Sequence, residues 1–187
     1  FWNLIENGRV SCYTKDDFGI WRSSVMPKVA LIMGSRSDWP SLRGCVDVLK
    51  GFEIEVEVHV ASAHRTPETV AAFAANAREN GFEAIIAAAG KAAHLAGVIA
   101  GHTTLPVIGI PVKSSFMDGL DSLLSTVQMP TGIPVATVAV GGGDNAAYLA
   151  AQMLSIKYPI LAEKLLAHRE RMAAAIEADD KQIQEEL

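Results

Sequence analysis

Three short stretches gather side chains that could grip a phosphorylated ligand and move a proton. "MGSRSD" (33–38) carries Ser35, Ser37 and Asp38, and "SAHR" (62–65) carries Ser62, Ala63, His64 and Arg65. "GKAAHL" (90–95) carries Gly90, Lys91, Ala92, Ala93, His94 and Leu95. Serine hydroxyls, an arginine and the free amides of a helix N-terminus together make a phosphate site, because each offers a donor to an anionic oxygen. A carboxylate is repelled by a phosphate dianion, so Asp38 is better suited to the hydroxyls of a ribose. A plainer role is also open to Ser37 and Asp38, which could simply cap the following helix. His64 sits in a loop between a small residue and a cation, not on an apolar helix face. Imidazole both gives and takes protons near neutral pH, so His64 is the candidate for proton transfer. For His94 two readings stand, a ring facing the same crevice or a ring bonded to backbone. His59, His102 and His168 are read as structural.

From Met26 onward, strands alternate with helices, and each of these stretches follows a strand. "KVALIM" is a short apolar run, as expected of a strand covered on both faces. A helix is expected from about Trp39, with Ser37 or Asp38 as its N-cap and Pro40 in its first turn. "EIEVEVHV" alternates with period two and reads as a strand near a sheet edge. Thr66 and Pro67 mark the start of the next helix. "EAIIAAA", "LPVIGIPV" and "IPVATVAV" read as three further strands, separated by short helices. The pattern predicts one α/β domain over residues 26–187, a three-layer sandwich around a parallel sheet, with ligand loops beyond the C-terminal ends of its strands. A long charged helix runs from Tyr158 to the end. Its Leu161, Leu165, Leu166 and Met172 are expected to pack on a neighbouring subunit, which favours an oligomer. Residues 1–25 show no clear period and are read as an extension outside that fold, with Met26 as a natural start.

Composition excludes several classes. A chain of 187 residues with net charge −5 and only 16 Lys+Arg is a poor binder of nucleic acid. No apolar run spans a membrane, and no signal-peptide core opens the sequence, so a cytoplasmic protein is expected. Cys12 and Cys45 make neither a disulfide framework nor a metal motif, and Cys45 reads as core. Zinc spacings, HExxH, GxGxxG, a Walker A loop and GxSxG are all missing from the sequence.

Taken together and in order, "MGSRSDW", "SAHRTPE", "GKAAHLAG", "LPVIGIPV", "DGLDSLLSTVQMPTGIPVATVAV" and "NAAYLAAQ" closely resemble the N5-carboxyaminoimidazole ribonucleotide mutases of bacterial purine synthesis, from about Lys28 through Ile156. The resemblance implies a flavodoxin-like domain, an octamer with sites at subunit junctions, and no metal or organic cofactor. It implies a small ribonucleotide substrate whose carboxylate migrates from nitrogen to a ring carbon. Ser35, Asp38, Ser62 and Arg65 would hold the ribose phosphate, with Ala63 beside them, and His64 would move the proton. Gly90, Lys91, Ala92, His94 and Leu95 would border the imidazole, and "SLLSTVQMP" would close the site from an adjacent subunit. A synthetase that makes the labile carbamate would be its functional partner.

The chain departs from that pattern at one loop. Where the mutases carry "AGAGGAAHLPG", it has "AAAGKAAHLAG", so Lys91 replaces a glycine. The related direct carboxylases, which add free carbon dioxide to aminoimidazole ribonucleotide, also carry a basic residue there. Two alternatives therefore stand beside the mutase, a direct carboxylase and a non-catalytic nucleotide-binding module.

Overall fold

The structure is a computed structural model that describes residues 2–6, 9–15, 21–23 and 26–187, the first three segments as backbone strands. Those strands, β1 (Trp2–Glu6), β2 (Arg9–Lys15) and β3 (Trp21–Ser23), pair antiparallel in a sheet of their own. The reading of this stretch as aperiodic overlooked a signal. Glu6 pairs with Arg9, so two residues separate the strands, and Asn-Gly is the pair that two-residue hairpins favour. The side chain of Cys12 lies outside the described residues.

The remaining elements are β4 (Lys28–Met33), α1 (Trp39–Gly51), β5 (Glu55–Val60), α2 (Pro67–Asn76), β6 (Ala84–Gly90) and α3 (Leu95–Ala100). They continue with β7 (Val107–Val112), α4 (Leu120–Val127), β8 (Ala136–Thr137), α5 (Gly143–Ser155) and α6 (Pro159–Glu186). Five parallel strands form the central sheet in the order β5-β4-β6-β7-β8. The expected three-layer α/β fold is therefore present, with flavodoxin-like strand order. Because β4 sends the chain to β5 on one side and β6 lies on its other side, a crevice opens where the winding reverses.

Alternate residues of the buried strands feed two cores. Val29, Leu31 and Met33 join Leu42, Leu49, Ala146, Ala150 and Leu161 on the α1, α5 and α6 face. Ala30 and Ile32 join Val70, Ala74, Leu95 and Ile99 on the α2 and α3 face. The edge position of β5 agrees with its alternating glutamates, but Val58 and Val60 are exposed, so beyond Val56 neither face of it is fully covered. Leu161 corrects an expectation, because it is buried in this chain's own core and is not free for a neighbour. Leu165 packs partly against the same core, whereas Leu166 and Met172 are exposed.

Strand β8 is shorter than "IPVATVAV" suggested. Gly109 accepts from Val138 N, so Gly109 and Pro111 both turn their polar groups toward β8. Proline has no N–H to donate there, and the ladder ends after Thr137.

Candidate active site

Four loops at the C-terminal ends of β4, β5, β6 and β7 meet over the crevice and line a cavity of about 660 Å³. Ser35, Asp38, Ser62, Ala63, His64, Arg65, Gly90, Lys91, Ala92, His94 and Leu95 all line it, so the fold brings these candidates together. It also includes Val112, Lys113, Ser114 and Ser115, which that reasoning missed. The signal was available, since "KSS" follows β7 as "SRSD" follows β4.

The β4 loop turns through a short 3-10 helix, Arg36–Asp38, before α1. Ser35, not Ser37 or Asp38, provides the capping oxygen: its Oγ accepts from Ser37 N at 3.3 Å and from Ser37 Oγ at 2.8 Å. Asp38 is the N-cap residue of α1, one of the two positions expected, but its side chain makes no capping bond; it accepts from Ser37 Oγ at 3.3 Å, and the residue lines the cavity. Burial raises the Asp38 carboxyl above the ordinary value, against the opposing pull of the Ser37 hydroxyl, a Ser35 backbone bond and the Arg65 guanidinium.

The β5 loop is closed on itself. Thr66 is the N-cap residue of α2 and marks its start as expected, but its Oγ1 makes no capping bond; it accepts from Ser62 N at 3.0 Å and donates to Ser62 O at 3.1 Å. Arg65 N donates to Ser62 Oγ at 3.3 Å, so residues 62–66 form a small rigid arch with His64 upon it. Across the crevice, the Arg65 guanidinium donates to the Gly34 carbonyl at 2.7 Å and ties the β5 loop to the β4 loop.

His94 stands just before α3, and its two readings are now separated. His64 Nε2 and His94 Nδ1 lie 2.9 Å apart, with the rings edge to face at a centroid distance of 5.0 Å. One nitrogen donates and the other accepts, so the protonation of one ring dictates the tautomer of its partner. Gly90 keeps the cavity floor thin, because a Cβ there would meet the Val112 carbonyl at 3.3 Å.

The other histidines do not line the cavity. His59 packs on Phe73 and lies 3.4 Å from Glu57, His102 Nδ1 is 2.8 Å from the Val98 carbonyl, and His168 stacks on Tyr148. Cys45 is fully buried, and burial with the nearby Asp144 charge pushes its thiol up to about 12. Among the described residues no group of three or more His, Cys, Asp or Glu side chains could hold a metal ion, and no helix is long and apolar enough to cross a membrane.

Fold and cavity together define a flavodoxin-like α/β protein with a small-molecule site at the reversal of its winding, where hydroxyls, cations and a histidine pair converge. The chain belongs to the AIR carboxylase family, whose model matches residues 28–175. It is 58% identical over 147 residues to the N5-carboxyaminoimidazole ribonucleotide mutase of Pyrococcus abyssi, covering 79% of this chain and 84% of that one. To the mutase of the same name from Thermotoga maritima it is 54% identical over 147 residues, covering 79% and 86% of the two chains. To that of Mycobacterium tuberculosis H37Rv it is 51% identical over 158 residues, covering 84% and 91%. The crystal structure of Treponema denticola PurE superposes with a TM-score of 0.75 at 30% identity, covering 83% of this chain and 98% of that one.

Proposed function

We propose that this chain converts N5-carboxyaminoimidazole ribonucleotide to 4-carboxyaminoimidazole ribonucleotide, an isomerase step of purine biosynthesis. The observation that carries the mechanism is the His64–His94 contact of 2.9 Å, beside a cavity that hydroxyls and an arginine also line. Ser35, Ser62 and Arg65, with the N-terminus of α1, hold the phosphate, and Asp38 accepts from the ribose hydroxyls.

The chemistry balances around one proton. Protonated His64 gives its proton to the carbamate nitrogen, the N–C bond breaks, and neutral carbon dioxide leaves beside an enamine-like aminoimidazole. The ring carbon attacks carbon dioxide and becomes tetrahedral, still bearing its hydrogen. Neutral His64 then takes that proton, the ring regains its aromaticity, and the starting protonation state returns. His94 orients the His64 ring and fixes its tautomer. Gly90, Ala92 and Leu95 wall a small space that keeps carbon dioxide beside the ring, so recapture is effectively unimolecular.

Residues 26–187 form the catalytic domain in this reading, with 1–25 outside it, and the protein works in the cytoplasm as a homo-oligomer, by resemblance an octamer. Support for self-association comes from α4, whose Leu120, Leu124 and Val127 are exposed while Ser122 and Thr126 are buried. A carbamate-forming synthetase supplies the substrate. Lys91 favours a second reading, direct carboxylation of aminoimidazole ribonucleotide. The two are separated by assaying product from the N-carboxylated nucleotide without bicarbonate, and from aminoimidazole ribonucleotide with it. Fast conversion of the first alone is expected. Efficient conversion of the second, with the first no faster than its spontaneous decay, would replace the mutase with a carboxylase.

A further inference from the structure

Lys91 occupies a backbone conformation that lysine adopts at a cost. Its φ is +57°, in the left-handed region where a Cβ crowds the neighbouring carbonyl. Glycine would take this position without strain, so a lysine retained here points to a use for its side chain. Lys91 lines the cavity, and among the described residues no carboxylate pairs with it. The other cations of the cavity are engaged: Arg65 donates to the Gly34 carbonyl at 2.7 Å, and Lys113 pairs with Asp118 at 3.1 Å. Lys91 also shares the β6–α3 loop with His94, whereas Ser35, Ser37 and Ser62 belong to the β4 and β5 loops.

The nucleotide has two anionic ends. Its phosphate suits the serines and Arg65, which leaves the carboxylate for the β6–α3 loop, where Lys91 and His94 stand. We propose that Lys91 is the anchor of that carboxylate, a specificity-determining residue that makes the site prefer carboxylated over uncarboxylated aminoimidazole nucleotides. The inference rests on the proposed reaction for the identity of its ligand. Both the carbamate and the ring-carbon acid are anionic, whereas carbon dioxide is neutral, so the ion pair acts on binding and discrimination and takes no part in the proton transfer.

Calorimetric titration of the full chain with 4-carboxyaminoimidazole ribonucleotide and with aminoimidazole ribonucleotide tests this. The wild type is expected to bind the carboxylated nucleotide at least about tenfold more tightly, the scale of one charge-assisted bond in a partly enclosed site. Lys91→Met and Lys91→Gly should lose that preference, and Lys91→Arg should keep most of it. Lys91→Gly alone should also melt at a higher temperature, because it removes the left-handed strain. An unchanged preference in Lys91→Met and Lys91→Gly, or no preference in the wild type, would overturn the anchor. Because the readout is binding, it separates from turnover. A Lys91-dependent preference without turnover would sink the mutase and leave the anchor, whereas normal turnover with a Lys91-independent preference would sink the anchor alone.

Discussion

Two helices on opposite faces of the central sheet, α5 and α4, are built in opposite ways. On one, α5 turns Ala146, Ala147, Ala150, Ala151 and Leu154 inward, α1 adds Leu42 and Leu49, and the chain's own α6 covers them with Leu161. On the other, α4 buries Ser122 and Thr126 and exposes Leu120, Leu124 and Val127. Small polar inner residues let α4 come close to β7: a Cβ on Gly109 would lie 2.4 Å from Thr126 Cγ2. Ser122 Oγ lies within hydrogen-bonding distance of both the Val112 and Gly119 carbonyls, at 2.9 and 2.8 Å. Its burial is thus satisfied, and the apolar side of the helix remains outside. The α5 side is covered within the chain, whereas α4 leaves an apolar strip exposed, the surface proposed above for self-association.

The site draws on both faces. Ser35 and Asp38 lie in the loop that leads into α1, whereas Ser62, His64, Arg65 and His94 lie in the loops that lead into α2 and α3. The largest expected effect is that of His64→Asn, which should lower turnover by roughly 10²- to 10⁴-fold while nucleotide affinity holds. Steady-state kinetics beside calorimetry would check it, and wild-type turnover in that variant would leave only a nucleotide-binding module. Next, Leu124→Glu with Val127→Glu should shift the protein to smaller species in light scattering without lowering the stability of the single chain. An unchanged assembly would mean that α4 is not an interface.

On the α5 side, Leu49→Ala should cost about 2–5 kcal/mol, because it opens a cavity in a fully buried position. Calorimetry should record a fall in Tm of roughly 10 °C for a chain of this size, with assembly intact. The smallest effect concerns Cys45, whose folded thiol is raised from 9.0 to about 12. The neutral thiol is favoured by folding, so its contribution is complete below about pH 9 and fades as the pH rises toward 12. Denaturant melts between those values should show a shallower loss of stability in Cys45→Ala than in the wild type, and parallel curves would contradict this.

Much of this division was legible in the sequence. Apolar runs marked the strands, and every candidate residue taken from the loops after β4, β5 and β6 lines the cavity. What escaped depended on partners distant in the chain. Pro111 cuts β8 short only because its missing N–H faces that strand, and Thr66 supports its loop because Ser62 curls back to meet it. The His64–His94 contact links residues thirty positions apart, so spacing alone left His94 open. The pairing of Trp2–Glu6 with Arg9–Lys15 has a local signal instead, the Asn-Gly pair between them in the sequence.

The central claim is that the carboxylate is released and recaptured inside one cavity beside His64. The most direct measurement is a single-turnover reaction of substrate labelled with ¹³C in the carbamate carbon, run in unlabelled bicarbonate with the product read by NMR. The account predicts that the product keeps the label, because carbon dioxide never leaves the cavity. A product that has exchanged its carboxyl carbon with the bicarbonate pool would contradict it.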